Sequence, residues 1–319
     1  MYKNEPIFLQ PTLHERIWGG QKLKTDYGYP IPSDHTGEAW IISAHPHGPS
    51  IIANGELKGK TLLDAWNEHG ELFNKKAGED EEYPLLVKIL DANDDLSVQV
   101  HPNDDFARSV EGVPYGKTEC WYILSAEENA DLVLGHHAKT RKEFEKMVDA
   151  GEWDKLLRRV NVKTGDFVYV PSGTIHAIGK GIVILETQQS SDITYRVYDY
   201  DRTDANGNKR ELHLERSKQV TNVPHIDAKV EQTVETFGDL TEKKLVEEQY
   251  FTVYHWNLNG KTKRNCHHDF LQVSVVEGKA VLTIGDKTFE LKKGMHFILP
   301  NSINEYELKG QAEFIVSHV

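Results

Sequence analysis

Three short stretches carry side chains of the types used in acid–base and metal chemistry. In "LSVQVHP" (96–102) an extended backbone sends successive side chains to opposite faces. Leu96, Val98 and Val100 then share one face, and Ser97, Gln99 and His101 the other. Taken alone, that pattern is a sheet edge with its polar face in water. In "GKTECWYIL" (116–124) Lys117, Glu119 and Trp121 share a face. A solvated lysine–carboxylate pair stabilises little. Glu119, however, leads straight into an apolar run, where a carboxylate needs a partner. In "GDFVYVPSGTIHAIG" (165–179) an alternating half is broken by Pro171 and Gly173, and His176 follows the turn. In a solvated loop that histidine does nothing special; swung back by the turn, its imidazole is available as a ligand.

The elements that must position these residues are mostly short strands. "LLVKILDA", "ECWYILSA", "ADLVLGHH", "DFVYVP", "IVILETQQ" and "ITYRVYDYD" are brief runs, most of them bounded by polar or turn residues. Residues 1–60 are dense in turn signals. "TLLDAWNEHGELF" has helical spacing (Leu63, Trp66, His69, Phe73), and "TRKEFEKMVDAGEWDKLLRRV" predicts a helical insertion near 139–160. A polar, acidic stretch around 225–250 reads as a connector. Four or more further strands follow it. An internal repeat links the two parts: "GDFVYVPSG" (165–173) and "GMHFILPNS" (294–302) share a glycine, five residues, then proline, each after a polar turn. The expectation is a mainly β protein of two barrel or jelly-roll units. They divide as 1–235, with the helical insertion, and 236–319.

Gly165, Pro171, Gly173 and His176 together resemble the second motif of the cupin superfamily, in which the final histidine is a metal ligand inside a small β-barrel. The first cupin motif usually has two histidines flanking one residue, then a glutamate. Here Gln99-Val100-His101 stands in that place, with a long insert before Glu119. "QVHPND", "KTE", "PSGTIHAI" and "QQSSDITYRVYDYDR", with "RIWGG" and "GEAWIISAHP" near the start, are similar to the type I mannose-6-phosphate isomerases, short bacterial form. That match covers essentially the whole chain.

The resemblance implies interconversion of mannose 6-phosphate and fructose 6-phosphate by proton transfer through an enediol(ate). It implies one divalent metal held by His101, Glu119, His176 and Gln99. Two imidazoles, a carboxylate and an amide oxygen suit zinc, with Mn, Fe, Co or Ni also able to bind. Gln99 either ligates directly or hydrogen-bonds a bound water. Arg196 matches the family's active-site arginine. Asp192, on the same face if 192–198 is extended, is expected to orient it. Lys117 is the candidate for proton transfer, with a pKa lowered by burial beside a cation. Longer family members carry a histidine before this lysine; here Gly116 stands there, so a ring-opening role for that histidine does not carry over. Lys88, in "LLVKIL", and Ser97 are candidate phosphate or substrate contacts.

The remaining histidines read as ordinary. His45, His47, His136 and His137 lie in loop-like stretches with no matching carboxylate. In the second unit Gln272 stands near the expected glutamate and Glu305 where the turn histidine belongs, so that unit reads as a cupin without a metal site. A net charge of -13 argues against bulk nucleic-acid binding, though not against a small anionic substrate. No segment approaches the roughly 20 apolar residues of a membrane helix, and no signal peptide is evident. Cys120 and Cys266 fit two free thiols in a reducing cytoplasm. Two other readings compete. An Fe(II) cupin oxygenase prefers more histidine ligands or a facial triad. A non-catalytic sugar-binding bicupin has no need of Lys117, Asp192 and Arg196 beside the ligands.

Overall fold

The structure is a computed structural model that describes residues 2–75, 81–204 and 206–319. It is mainly β, with strands in three sheets of nine, six and five. The six-stranded sheet runs, in spatial order, Phe167–Val170, Glu119–Ala126, Ile182–Gln189, Leu85–Ala92, Thr36–Ser43 and Thr12–Gly20. The five-stranded sheet runs Tyr195–Tyr198, Val98–Val100, His176–Ile178, Asp131–His136 and Leu157–Asn161. These two sheets face each other as a cupin barrel and enclose a cavity of about 380 Å³. Their outward faces pack elsewhere. Leu85, Val87 and Ile89 enter one apolar cluster, and Val98, Val100 and Ala177 another.

The nine-stranded sheet is built mainly from Thr233–Phe237 onward. It also takes two strands from the start of the chain: Ile7–Gln10 pairs with His296–Pro300 and, on its other side, with Ile51–Ile52. The apolar cluster beneath it holds Ile7, Leu9, Ile41 and Trp66 together with Val253, Phe270, Ile298 and Ile315. Cys120 and Cys266 are buried free thiols. Among the described residues no helix is long and apolar enough to cross a membrane.

Several local expectations meet the structure directly. The helix Arg141–Asp149 begins at Thr140, whose hydroxyl accepts the Glu143 N–H, and it buries Phe144 and Val148 as its spacing predicts. The helical insertion is shorter than 139–160, however. It ends at Leu156, and Leu157–Asn161 is a strand paired with Asp131–His136. The supposed connector near 225–250 holds two strands, Thr233–Phe237 and Leu240–Glu247. The former is exposed on both faces, which removes the alternation that would have marked it. The repeat has one backbone form in both copies. Gly165 (φ +88°) and Gly294 (φ +85°) each turn the chain into a short strand. The second copy then departs: Glu305 opens the strand Glu305–His318, which is paired on both sides within the nine-stranded sheet; it is exposed and pairs with Lys263 at 2.7 Å.

Candidate active site

Register brings the site residues into two facing rows. In the five-stranded sheet Gln99 lies directly opposite both His176 and Arg196. In the six-stranded sheet Trp40, Lys88, Glu186 and Trp121 stand side by side across four strands. "LSVQVHP" is therefore no solvated edge. Ser97, His101 and Glu119 are buried, and Ser97 and Gln99 face the cavity.

His101, Glu119 and His176 converge so that one nitrogen or oxygen from each lies within 4.8 Å of the others. Nε2 of His176 is 3.2 Å from one Glu119 oxygen, and Nε2 of His101 is 3.5 Å from the other. Both rings are oriented from behind. Nδ1 of His101 donates to the Ile193 carbonyl and Nδ1 of His176 to the Thr174 carbonyl, each at 2.8 Å. A carbonyl only accepts, so each Nδ1 carries the proton and each Nε2 presents a lone pair. Burial, with Lys117 next, holds His101 well below the usual imidazole range. Burial holds His176 down to about 4. Both are thus neutral, as metal ligands must be. The Lys117 ammonium bridges Glu119 and Nε2 of His101, so the cluster already attracts a cation. Gln99 donates its amide N–H to the Ser97 carbonyl at 3.4 Å, and its amide oxygen has no hydrogen-bond partner among the described residues. Donor types, burial and tautomers fit a divalent metal.

The turn that delivers His176 depends on Gly173. Its φ is +81°, its N–H donates to the His101 carbonyl, and a Cβ there would come 2.6 Å from the Asn222 amide. At Gly116 a Cβ would lie 2.4 Å from the Pro102 carbonyl oxygen, so the backbone leaves no room for a histidine there.

Two expectations change, those for Asp192 and for His45 and His47, while Lys117 has a setting of its own. Burial tends to lower the Lys117 pKa, but Glu119 and Glu186 override it and hold the ammonium above its ordinary value. The lowering expected beside a cation concerns the metal-loaded site; without the metal the nearest charges are carboxylates. Asp192 lines the cavity yet does not contact Arg196. Its carboxylate goes to His47 at 2.5 Å and faces His45 at 3.7 Å. His45 and His47 therefore do have a matching carboxylate, 145 residues from His47 in sequence. Arg196 is held instead by the Glu211 carbonyl at 2.7 Å and by a backbone bond to His213. Of the other two, His136 ends a strand, buried, with Nε2 on the Asn222 carbonyl.

Lys88 is buried, 3.6 Å from Glu186, 4.0 Å from Glu38 and 4.8 Å from the Trp40 ring centre. Its charge is already answered by carboxylates. Sequence reasoning passed over Glu186, which is buried between Lys88 and Lys117 and accepts from the Trp121 indole. Burial, then Glu119, raises its carboxyl above the usual range. The available signal was the same as for Glu119, a lone carboxylate inside the apolar "IVILETQQ". Glu38, with Arg16, and Arg210 were missed as well; all three line the cavity. Arg210 and Arg202 both pair with the buried Asp199, at 2.6 and 2.8 Å. Arg202 also lies 3.8 Å from Asp94, while Arg196 feels the charge of Asp199 without pairing to it.

The model of the type I phosphomannose isomerase catalytic domain matches residues 7–139, and that of the mannose-6-phosphate isomerase cupin domain matches 241–319. The chain is 51% identical over 315 residues to the mannose-6-phosphate isomerase ManA of Bacillus subtilis, covering 99% of each. It is 50% identical to the mannose-6-phosphate isomerase of Streptococcus mutans over 98% of each. The crystal structure of a Bacillus subtilis mannose 6-phosphate isomerase superposes with a TM-score of 0.96 at 49% identity, over 98% of this chain and 99% of that one. Neither the oxygenase nor the non-catalytic reading is favoured by these relatives. Buried histidines and a glutamate able to hold a metal, a cavity lined by lysine and arginine, and full-length likeness agree: the chain belongs to the type I mannose-6-phosphate isomerases.

Proposed function

We propose that this chain interconverts D-mannose 6-phosphate and D-fructose 6-phosphate in the cytoplasm through an enediol(ate), with one zinc ion held by His101, Glu119, His176 and the Gln99 oxygen. The observation that carries this is the convergence of three buried ligands beside Lys117 and Glu186 in one cavity. When bound, the dication supplies electrostatic stabilisation of negative charge on oxygen.

The forward reaction removes the proton on C2, protonates O1, returns a proton to C1 and releases the O2 proton. Lys117 and Glu186, 3.9 Å apart, are the groups we assign to this traffic. A carboxyl raised by burial and an ammonium held by carboxylates share protons readily. Arg196 and Arg210 supply positive charge for the phosphate, since Asp199 answers only part of the guanidinium charge around it. Lys88 and Ser97 then face the sugar hydroxyls rather than the phosphate. Asp192, held by His47 at the rim, takes no part in this proton traffic.

Zinc-loaded protein given mannose 6-phosphate is expected to form fructose 6-phosphate, and EDTA to abolish this. Lys117→Ala and Arg196→Ala are each expected to lose activity with zinc content unchanged. Metal-loaded protein without turnover would sink the reading; full activity in Lys117→Ala would remove that residue from the proton traffic.

A further inference from the structure

Two imidazoles and a carboxylate meet at the cavity rim, apart from His101, Glu119 and His176. His45 and His47 lie in the turn after Thr36–Ser43, and Asp192 lies after Ile182–Gln189. Their types suit a second metal ion, but their hydrogen bonds do not. The His47 backbone N–H donates to Nδ1 of His45 at 3.2 Å, so that atom is bare. The neutral His45 ring then carries its proton on Nε2, the nitrogen facing Asp192 at 3.7 Å. A metal would need that nitrogen free. Nδ1 of His47 is 2.5 Å from Asp192, in direct hydrogen-bond contact with no room for an ion between them. Two ligands about 2.0–2.1 Å from a tetrahedral ion stand roughly 3.3 Å apart.

What Asp192 holds is the more telling point. Residues 190–194 form a strap whose Ile193 carbonyl fixes the His101 tautomer at 2.8 Å. The strap is tied at its start, where the Ser190 N–H donates to the Pro84 carbonyl and Gln188 to the Ser191 carbonyl. It is tied at its end where Tyr195 pairs with Val100. Between those ties, the Ile193 side chain packs against the apolar cluster of Val98 and Val100, and the polar anchor to another segment is Asp192, on His47. We propose that His47, though its side chain is 70% exposed, is a positioning residue: it pins Asp192, which holds the Ile193 carbonyl, which orients His101 toward the metal. This rests on the metal-dependent reading above.

The test is a competition titration of zinc against a chromophoric chelator, on metal-free full-length chain. Wild type, His47→Ala and His47→Asn are compared. Loss of a group that orients a metal ligand weakens binding about tenfold, and that is expected for His47→Ala. His47→Asn keeps an N–H donor near the same place and is expected within about twofold of wild type. At saturating zinc, His47→Ala should recover kcat with KM for mannose 6-phosphate unchanged, and both metal-free variants should unfold at the wild-type temperature. Equal zinc affinity in wild type and His47→Ala would overturn the proposal while leaving the isomerase reading intact. A second zinc per wild-type chain, lost in His47→Ala, would overturn it in favour of a rim metal site. A wild-type chain that binds no zinc would remove the metal-dependent reading and this proposal with it.

Discussion

The cavity works by confining opposite charges where water cannot screen them, and Glu38 shows the consequence for stability. Burial alone would raise its carboxyl, but Lys88 and Arg16 override burial and hold it down to about 2. Arg16 contacts both carboxylate oxygens, at 3.0 and 3.1 Å, and the Trp40 indole donates to one of them at 2.7 Å. A carboxyl held below its unfolded value stabilises the fold fully above that value, 4.5 here, and the contribution is lost as pH falls through about 2. Wild-type stability should therefore drop steeply between about pH 4.5 and 2. Glu38→Gln should be less stable at pH 7 and flatter across that acid window. Parallel curves from chemical denaturation at each pH would contradict this assignment.

At the scale of elements, the strand–turn–strand from Phe167 to Ile178 is the device that aims His176. Gly165 and Gly173 both have left-handed backbone, where an alanine costs about 1–2 kcal/mol. They differ in surroundings. A Cβ at Gly165 would find its nearest neighbour, the Tyr122 hydroxyl, at 4.0 Å; one at Gly173 would strike Asn222 at 2.6 Å. Gly165→Ala should thus lower the melting temperature with zinc affinity unchanged. Gly173→Ala should lower both, because the Thr174 carbonyl that orients His176 moves with the turn. Unchanged zinc affinity in Gly173→Ala would show that the turn does not govern the ligand. The "GDFVYVPSG" pattern made this element legible from sequence. The strand Thr233–Phe237 was not legible, because an edge strand exposed on both faces needs no alternation.

Across the whole molecule, the two parts of the chain share a core. Phe270, from the nine-stranded sheet, packs against Trp66, Phe73 and Tyr83 at ring-centre distances of 6.4, 5.5 and 5.6 Å. Ile7–Gln10 adds its own strand to that sheet. Truncating a buried phenylalanine costs about 3–5 kcal/mol, and Phe270→Ala should destabilise the entire chain by that order. Calorimetry is expected to give one transition in wild type and, at lower temperature, one in the variant. Two transitions, with only the later part of the chain affected, would mean that the parts fold independently.

The sequence by itself determined the family and the residue types that could hold a metal, because Gly165, Pro171, Gly173 and His176 are a local device and strand parity is a local rule. It also exposed Glu119 and Lys88 as charges inside apolar runs, which must be answered by something. What answers them was decided only by tertiary structure. Glu186 reaches Lys88 and Lys117 through sheet register, Asp192 turns to His47 instead of Arg196, and Ile193 lends its carbonyl to His101. Those contacts join segments 92 to 145 residues apart in the cases of His101 and His47. No local spacing records them, since the pairing of distant strands is set by the packing of the whole core.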